Sequence, residues 1–285
     1  MSGADAVAVV TVSFNSGDAL RSFLATIDAS GAHADVVVVD NASPDPGDLV
    51  EVVAAHSARL LQLPENVGYG GAVNAAIAAL PSSIDYVLVS NPDVTLSPGS
   101  LDELVAAATR RRDAGTLGPR ILDAEGATYP SARRLPSLRT GIGHALFGTV
   151  WPTNPWTRSY RQDRLDVNER DAGWLSGACV LVRRSAFDQV GGFDASYFMY
   201  FEDVDLGARM TRAGWANVYV PSAVVTHTGA HSTSRFRSRM EHAHHMSAYT
   251  YLARKYPNWY LAPLRLALRV GIGLRERIVA GGRRR

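Results

Sequence analysis

The sequence predicts an α/β fold, in which a mostly parallel central sheet is flanked by helices on both faces. Short runs of β-branched residues without polar alternation recur in the first third of the chain, as expected for strands that are buried on both faces. Segments with the apolar spacing of amphipathic helices separate these runs. The stretches that follow the runs are polar or rich in glycine. Together these observations indicate repeated βαβ units, whose ligands bind beyond the carboxyl ends of the strands.

The predicted elements follow one another in a regular strand-helix order. The strands expected in the first part of the chain are 6–12, 36–39, 60–63 and 86–89. The helices expected between them are 18–29, 48–57 and 72–80. Further along, the pattern predicts a strand over 174–182, a short helix from Ser185 to the Gly191-Gly192 pair, a helix that stops at Gly214, and strands over 218–221 and 224–227. The segment 133–170, rich in Arg, Pro and Trp, has little periodicity, and we expect it to cover a site or meet a partner.

Composition limits the possible functions. The chain has 285 residues, 46% of them hydrophobic, which is enough for a large core. Its net charge of +2, without aromatic residues interleaved among basic ones, argues against nucleic-acid binding. The single cysteine, Cys179, lies in an apolar run and excludes an intramolecular disulfide or a cysteine-based metal site. We expect this thiol to be buried and inert.

The two ends of the sequence bear on localisation. Residues 1–5 carry no basic segment and 6–12 is too short for a signal sequence, so we expect a cytoplasmic protein. The carboxyl-terminal part is basic, because Arg265, Arg269, Arg275, Arg277, Arg283, Arg284 and Arg285 are opposed only by Glu276. A helical projection from Pro263 separates Arg265 and Arg269 from an apolar face, on which lie Leu264, Ala267, Val270, Leu274 and Ile278. This pattern predicts peripheral binding to the cytoplasmic face of an anionic membrane; the alternative is a solvated helix packed on the body.

The ends of the first strands hold candidate donor-site residues. Asp40 follows the second strand, where nucleotide-binding α/β domains place the acid that binds a base or ribose; the alternative is a turn formed by Asp40 and Asn41. The glycine-rich loop 68–71 precedes the helix that carries Asn74, and such a loop brings backbone close to a phosphate. It lacks the nicotinamide-cofactor spacing and a Walker lysine, which disfavours a dehydrogenase or a P-loop enzyme.

A metal site is predicted at the end of the fourth strand. Pro92 fixes the turn so that Asp93 leaves the strand at a defined angle, and a Mg²⁺ or Mn²⁺ ion bound to a diphosphate needs only one or two protein oxygens. The alternative is an ordinary Asn-Pro-Asp turn. His227, at the end of a later strand, is a candidate for a nitrogen ligand of the same cation.

An acidic cluster opens the helix that ends at Gly214. We predict Asp203 as the general base, Glu202 as a partner that contacts the acceptor or orients the site, and Asp205 as a structural residue paired with Arg209. Acidic residues are common in first helical turns because they suit the helix dipole, so capping is the alternative for any one of them. Three acids beside an aromatic cluster exceed that need.

The order of these motifs resembles that of the inverting glycosyltransferases of family 2, over most of the chain. The motifs that carry the resemblance are Ser13-Phe14-Asn15, Asp40-Asn41-Ala42-Ser43, Asn66-Val67-Gly68-Tyr69-Gly70, Asn91-Pro92-Asp93, Gly177-Ala178, Gly192-Phe193-Asp194, Tyr200-Phe201-Glu202-Asp203-Val204-Asp205-Leu206 and His227. Within the family, Trp174-Leu175-Ser176-Gly177, Phe198-Met199 and His231-Ser232-Thr233 resemble the actinobacterial rhamnosyltransferases of arabinogalactan linker synthesis. The resemblance implies a GT-A (Rossmann-like) fold, the donor dTDP-L-rhamnose, the lipid-linked acceptor polyprenyl-diphosphate-N-acetylglucosamine, and a divalent cation.

The resemblance also implies roles for individual residues. The implied donor-binding residues are Ser13, Asn15, Asp40, Asn41, Asn66, Gly68, Tyr69, Gly70, Asn74, Asn91 and Asp93. The implied acceptor-binding residues are Trp174, Gly177, Tyr200 and Glu202, and the implied metal ligands are Asp93 and His227. The family's acidic motif has two aspartates, and Asn91 takes the first place here, which predicts a weakened metal site.

Several alternatives stay open from the sequence. A family relative with another nucleotide sugar, a non-catalytic nucleotide-sugar-binding protein and a nucleotide-sugar hydrolase all share parts of the pattern. The expected division of the chain is a nucleotide-sugar-binding half over 1–115, an acceptor-binding and catalytic half over 116–232, and a helical basic segment over 233–285. The Trp-Pro-rich stretch 151–156 is a possible interface for a homo-oligomer.

Overall fold

The fold is described from a computed structural model of the chain. It describes residues 6–30, 34–137, 168–229 and 237–270 except 264 and 268. The predicted interface segment 151–156, the motif at 231–233 and the basic residues beyond 270 lie outside these ranges. Within the ranges, every helix is too short or too polar to cross a membrane.

The elements alternate as the sequence predicts. The strands are β1 (Val7–Ser13), β2 (Ala34–Asp40), β3 (Arg59–Gln62), β4 (Tyr86–Ser90), β5 (Val94–Leu96), β6 (Ala114–Leu122), β7 (Thr128–Tyr129), β8 (Ala132–Arg133), β9 (Arg170–Ala172), β10 (Trp174–Leu175), β11 (Cys179–Arg183) and β12 (Ala216–His227). The helices are α1 (Gly17–Ser30), α2 (Leu49–Ala55), α3 (Gly68–Ala78), α4 (Ser100–Arg110), α5 (Arg184–Gln189), α6 (Glu202–Arg212) and α7 (Arg237–Lys255). A 3₁₀ turn follows at Trp259–Leu261, and the described residues between 262 and 270 are helical.

One mixed sheet organises the described chain, in the order β3-β2-β1-β4-β11-β6-β12-β5. The first four of these strands are mutually parallel. β11 runs antiparallel between β4 and β6, while β6 and β12 are parallel to each other. β7 and β9 pair with the edges of β6 and β12, and β8 forms a separate antiparallel pair with β10. The α/β class is therefore confirmed, and its parallel part is the portion built from βαβ units.

Each face of the sheet has its own apolar core. In β1, Val9 belongs to the cluster that packs against α1, α2 and α4, whereas Val10 belongs to the cluster that packs against α3, α5 and α6. Leu88 and Val89 of β4 divide in the same way. Because successive side chains of a strand point to opposite faces, a strand buried on both faces has no polar alternation. This explains the continuous β-branched runs of the sequence.

Two predicted boundaries are wrong. The helix expected at 72–80 begins at Gly68, so the glycines form its first turn and not a loop. A cluster of glycines in a sequence is typical of a loop. Here glycine is required by tertiary packing, which the local sequence pattern does not show. The strand expected over 174–182 is two strands, β10 and β11, and residues 176–178 between them leave the ladder. Gly177 there turns toward α6 to make contacts described below.

The structure adds elements that periodicity did not reveal. β5, α4 and β6 follow one another after the fourth predicted strand, and β6 lies near the middle of the sheet. β6 spans the predicted division between residues 115 and 116, so both parts of the chain contribute strands to one sheet. At the borders of the aperiodic segment, Arg133 ends β8 and Arg170 begins β9, while 138–167 lies outside the described residues. Cys179 is buried, as predicted, and burial raises the pKa of its thiol to about 12.

Candidate active site

The ends of β1 and β2 form the first part of the site. Ser13 and Asp40 are opposite each other in the parallel register, and both are buried. An oxygen of the Asp40 carboxylate accepts a hydrogen bond from the Ser43 amide at 3.1 Å, and the Asn41 amide donates to the Ser13 carbonyl at 2.9 Å. The turn-forming role considered for Asp40 is thus present. Its second carboxylate oxygen keeps acceptor capacity at the ligand-binding edge of the sheet.

The Asn41 side chain fixes the chain that enters α3. Its Nδ2 donates to Asn66 Oδ1 at 3.0 Å and to the Gly68 carbonyl at 3.2 Å, and its Oδ1 accepts from the Val67 amide at 3.0 Å. Asn66 Oδ1 also accepts from the Gly68 amide at 3.0 Å. Asn15, with a positive φ of 54°, is exposed beside this edge and donates its amide hydrogen to Ser43 Oγ. These polar contacts position the backbone at the mouth of the predicted donor site.

Glycine at two positions of α3 permits close packing against the segment before α6. A Cβ added to Gly68, whose φ is +78°, would lie 2.3 Å from the Phe198 carbonyl oxygen, and the Tyr69 amide donates to that same oxygen at 3.1 Å. A Cβ on Gly70 would lie 2.8 Å from Phe193 Cβ. The first turn of α3 therefore packs directly against the segment 193–198, which a side chain at either position would prevent.

Asn74, a predicted donor-binding residue, makes a structural contact within the protein. Its Nδ2 donates to the Phe193 carbonyl at 2.8 Å and its Oδ1 accepts from the Phe193 amide at 2.9 Å. Both polar ends of the amide thus bind backbone, and Asn74 braces α3 against the loop that leads to α6. Its place on this helix is as predicted.

Asp93 and His227 meet as the metal prediction requires. His227 Nε2 lies 3.1 Å from Asp93 Oδ1, and Asn91 Nδ2 lies 3.4 Å from the same nitrogen. Burial by itself would raise the pKa of Asp93, but the hydrogen bond and charge of His227 outweigh it, and the net effect lowers that pKa. The carboxylate therefore stays ionised. The described residues contain no group of three or more His, Cys, Asp or Glu side chains able to hold a metal, so a cation here depends on diphosphate oxygens and water.

A pair of carboxylates begins α6. Tyr200 and Phe201 before it both have positive φ values, 65° and 66°, a conformation that is costly for bulky residues and is found where function over-determines the backbone. Glu202 is 7% exposed, and its Oε2 has no hydrogen-bond partner among the described residues. Asp203 is partly exposed, and its Oδ2 accepts from the Gly177 amide at 3.0 Å while Oδ1 accepts from the Val204 amide at 2.8 Å.

Burial raises the pKa of both carboxyl groups. Burial and then the charge of Asp203 raise the pKa of Glu202 to about 8. Burial also raises the pKa of Asp203, against the opposing effect of the two amide donors from Gly177 and Val204. Because N–H donors favour a charged carboxylate and Glu202 Oε2 has none, the shared proton belongs on Glu202 and the charge on Asp203. Asp203 is thus the member of the pair that carries the charge when one proton is shared.

Asp205 has the structural role that was predicted. Arg209 Nε donates to Asp205 Oδ2 at 2.6 Å, one turn along α6. The same guanidinium donates through Nη1 to the Val190 and Gly192 carbonyls, both at 2.7 Å. Asp205 therefore holds the arginine that joins α6 to the loop after α5.

The predicted acceptor residues lie around Asp203. Trp174 packs against α6, where a Cβ on Gly207 would lie 2.7 Å from Trp174 Cβ, and its indole N–H donates to the Arg134 carbonyl at 3.1 Å. Tyr200 lies beside Glu202; burial and then the charge of Glu202 raise its pKa. Arg133, which sequence analysis did not single out, stacks its guanidinium 5.7 Å from the Trp174 ring.

Arg133 also acts on Asp203 through its charge, which lowers the pKa of that carboxyl. Its position at the start of an aperiodic segment left no signal in the sequence by which to find it. Tyr69 lies near all three of these acids. Burial and the charges of Glu202, Asp203 and Asp93 raise the pKa of its phenol well above the ordinary value. Asp93 and the Glu202–Asp203 pair are therefore close enough to act on the same side chain.

Helix α7 packs over the segment that precedes α6. Ser247 Oγ donates to the Met199 carbonyl at 2.9 Å. The His244 ring lies edge-on to Tyr200 and Phe201, with centroids 5.4 and 5.5 Å apart. The His244 ring thus contacts the strained turn that presents Glu202 and Asp203, and α7 supports that turn.

Comparison with known proteins decides the family. A model described as "Glycosyltransferase like family 2" matches residues 4–244. The chain belongs to the family 2 glycosyltransferases. It is 49% identical to the N-acetylglucosaminyl-diphospho-decaprenol L-rhamnosyltransferase of Mycobacterium tuberculosis, over 96% of this chain and 93% of that protein. It is 30% identical to the rhamnosyltransferase WbbL of Escherichia coli K12, over 87% and 93% of the two chains.

Solved structures confirm the GT-A fold of this family 2 enzyme. The mannosyltransferase PcManGT of Pyrobaculum calidifontis, in complex with GDP-Man and Mn²⁺, superposes with a TM-score of 0.62 at 14% identity, over 96% of this chain and 72% of that one. GalNAc-T7 with UDP, GalNAc and Mn²⁺ superposes with a TM-score of 0.58 at 13% identity, over 80% and 44%. At these identities the likeness concerns the fold alone.

Proposed function

We propose that this enzyme transfers L-rhamnose, with inversion, from dTDP-L-rhamnose to polyprenyl-diphosphate-N-acetylglucosamine in cell-wall linker synthesis. The observation that carries the proposal is the 49% identity to the mycobacterial rhamnosyltransferase, which extends over nearly the whole of both chains. The geometry of the site supports it, because nucleotide-side and base-side residues meet at one edge of the sheet.

The chemistry follows from the acidic pair on α6. The acceptor hydroxyl attacks the anomeric carbon from the face opposite the nucleoside diphosphate, a C–O bond to the acceptor forms, and the C–O bond to the diphosphate breaks. Asp203 accepts the hydroxyl proton, because it is the ionised member of the pair and is partly exposed. Glu202, buried and protonated beside it, carries no charge that would repel the approaching acceptor.

The nucleotide sugar is bound at the carboxyl ends of β1 and β2 and at the start of α3. Asp40, which keeps a carboxylate oxygen available, contacts the base or ribose at the end of β2, next to Ser13 on β1. Asn41 holds the adjacent backbone in place. The exposed Asn15, and Asn66 before α3, lie on the approach to the diphosphate. Gly68 and Gly70 act indirectly, because their packing fixes the direction of α3, whose dipole favours the negative charge.

Asp93 and His227 fit a divalent cation, because an ionised carboxylate and a histidine nitrogen from two different strand ends converge within 3.1 Å. Asn91, in place of a second aspartate, supplies an amide beside them. The bound Mg²⁺ or Mn²⁺ would stabilise the charge that develops on the leaving diphosphate.

A lipid-linked acceptor requires access to a membrane surface. Large apolar side chains are exposed near the end of the described chain: Trp259 (85%), Tyr260 (61%), Leu266 (62%) and Val270 (53%). Trp and Tyr side chains favour the membrane interface, and the basic residues after Val270 in the sequence favour anionic lipid. Arg265, expected on the basic face, instead donates to the Tyr256 and Asn258 carbonyls at 2.7 and 2.8 Å and so fixes the turn that presents Trp259.

The membrane proposal is tested by sedimentation with vesicles of phosphatidylcholine and phosphatidylglycerol. We expect Trp259→Ala combined with Tyr260→Ala, and separately deletion of 264–285, to reduce the bound fraction. The matched control is Tyr129→Ala, an exposed tyrosine on β7. Unchanged binding of both variants would contradict the proposal.

Product analysis tests the reaction. Purified protein is incubated with dTDP-L-rhamnose and a short polyprenyl-diphosphate-N-acetylglucosamine, with Mg²⁺, Mn²⁺ or a chelator, and the lipid is identified by mass. The expected product carries one added deoxyhexose. Transfer only from another nucleotide sugar would indicate a relative with different donor choice. Free rhamnose without acceptor would indicate a hydrolase, and donor binding without any turnover would indicate a binding protein.

A further inference from the structure

A chain of hydrogen bonds joins the donor half to the predicted base. Tyr69, in the first turn of α3, donates its phenolic hydrogen to the Gly177 carbonyl at 2.8 Å. The Gly177 amide donates to Asp203 Oδ2 at 3.0 Å. Gly177 lies in the segment between β10 and β11, and Asp203 lies in the first turn of α6, so one glycine connects the two helices.

We propose that Tyr69 is a positioning residue for the general base, because it holds Gly177 in the conformation that directs an N–H donor at Asp203. The inference rests on the proposed role of Asp203 as base. It gives Tyr69 a function other than the donor contact that the family resemblance implies.

The mechanism of positioning follows from the backbone around Gly177. The carbonyl that Tyr69 holds and the amide whose hydrogen bond Asp203 accepts belong to two different peptide planes, which meet at the Gly177 Cα. Glycine lets these planes rotate freely against each other. The neighbours are already fixed, because the Ser176 amide donates to the Ser131 carbonyl at 2.8 Å and the Ala178 carbonyl accepts from the Asn91 amide at 2.8 Å. The bond from Tyr69 restrains the glycine itself.

A restrained Gly177 has two effects on Asp203. Both carboxylate oxygens then have amide donors, Oδ2 from Gly177 and Oδ1 from Val204, so the carboxylate cannot rotate away from the acceptor. The same bonds favour its ionised form. The other charged or titratable groups around it are Glu202 on the same helix, the Tyr69 phenol from α3 and Arg133 from β8, and they act on it through charge. The hydrogen bond from the Gly177 amide thus connects Asp203 Oδ2 to a part of the chain that is distant in sequence.

Tyr69→Phe tests the inference, because it keeps the ring and removes the hydroxyl. We expect kcat to fall about three- to tenfold, the usual effect of one hydrogen bond, while KM for dTDP-L-rhamnose changes less than about twofold. Without the bond from Tyr69, Gly177 is less restrained and its N–H bond to Asp203 weakens, which raises the pKa of Asp203. The base must be ionised to act. The acidic limb of the kcat profile should therefore move to higher pH by about half a unit or more.

Tyr86→Phe is the matched control. Tyr86 is a buried tyrosine on β4 whose hydroxyl accepts from Arg183 Nη1 at 2.9 Å, away from the acidic pair. Its variant should lower the melting temperature and leave the acidic limb where it is. Calorimetric binding of dTDP to both variants establishes that the donor half is folded.

The outcomes separate this inference from the proposed function. If Tyr69→Phe raises the donor KM and leaves the acidic limb unmoved, the hydroxyl contacts donor and the positioning role is wrong. If the variant is normal in every parameter while Asp203→Asn is inactive, only the positioning role fails. If Asp203→Asn itself keeps transfer, the proposed base is wrong, and the role of Tyr69 falls with it.

Discussion

The Asp93–His227 pair and the Glu202–Asp203 pair differ in what surrounds each carboxylate. Asp93 faces an imidazole nitrogen of His227 at 3.1 Å, and the net effect lowers its pKa. Glu202 faces another carboxylate, that of Asp203, and burial raises its pKa to about 8. Both pairs are partly or fully buried, and the acids of both raise the pKa of Tyr69, so burial alone does not explain the difference in their pKa shifts.

The difference shows how one residue type is given two tasks. A carboxylate held charged by a histidine can bind a cation but is a poor proton acceptor, because its proton affinity has been reduced. A carboxylate beside a buried acid has an increased proton affinity and can take a proton near neutral pH. Substitutions at either pair should therefore have different effects, largest at the proton acceptor and smallest beside the cation.

Asp203→Asn should have the largest effect. The variant cannot accept the acceptor's proton, and a general base contributes about 10²- to 10⁴-fold. We expect kcat to fall by that factor, while calorimetry shows unchanged dTDP binding. Asp205→Asn on the same helix is the control, since it breaks the bond to Arg209 and should lower the melting temperature with little change in kcat. Comparable kcat in the two variants would remove the distinction between them.

Asp93→Asn should weaken the response to metal more than the binding of acceptor. The variant loses the ionised oxygen next to His227, so we expect transfer to fall on the order of tenfold or more at fixed Mn²⁺ and to recover in part at higher Mn²⁺. Titration of activity with Mn²⁺ measures this. Identical titration curves for the variant and the parent protein would show that Asp93 does not hold the cation.

Glu202→Gln tests the protonated member of the second pair. Because the folded pKa of Glu202 lies above its ordinary value, its contribution to stability is fully present below about pH 4.5 and is lost as pH rises through about 8. The glutamine side chain of the variant cannot ionise, so its free energy of unfolding should exceed that of the parent at pH 9, on the order of a few kcal/mol. At pH 5 the two proteins should be nearly equal. Urea unfolding at both pH values decides, and a constant difference would contradict the assignment.

The sequence was sufficient for those parts of the fold and site that depend on local pattern. The β-branched runs at 6–12, 36–39 and 86–89 predicted strands because burial on both faces removes polar alternation. The Asp205–Arg209 pair followed from helical spacing, and the meeting of Asp93 with His227 followed from their places at strand ends.

Features set by tertiary contact were not predictable in the same way. Gly68 and Gly70 read as a loop, although they are glycines because the Phe198 carbonyl and Phe193 lie too close for a Cβ. Asn74 was expected to contact donor, but its amide faces the Phe193 backbone across the chain. The break between β10 and β11 lets Gly177 reach Asp203, which is distant in sequence. None of these partners is visible within a window of local pattern.

Asn91→Asp should have the smallest effect on transfer, and it tests the Asp93–His227 pair. The family's motif, as the resemblance implies it, has an aspartate where Asn91 lies, and the Asn91 amide is 3.4 Å from His227 Nε2. A second carboxylate there adds a negative oxygen ligand, so the Mn²⁺ concentration for half-maximal transfer should fall severalfold without a change in the acidic limb of the pH profile. Ser90→Ala, on the preceding strand residue, serves as control, because its hydroxyl donates to backbone carbonyls. A shift of the acidic limb with unchanged metal response would mean that position 91 acts on the Glu202–Asp203 pair. The charge near Asp93 and His227 would then influence the protonation of Glu202 and Asp203.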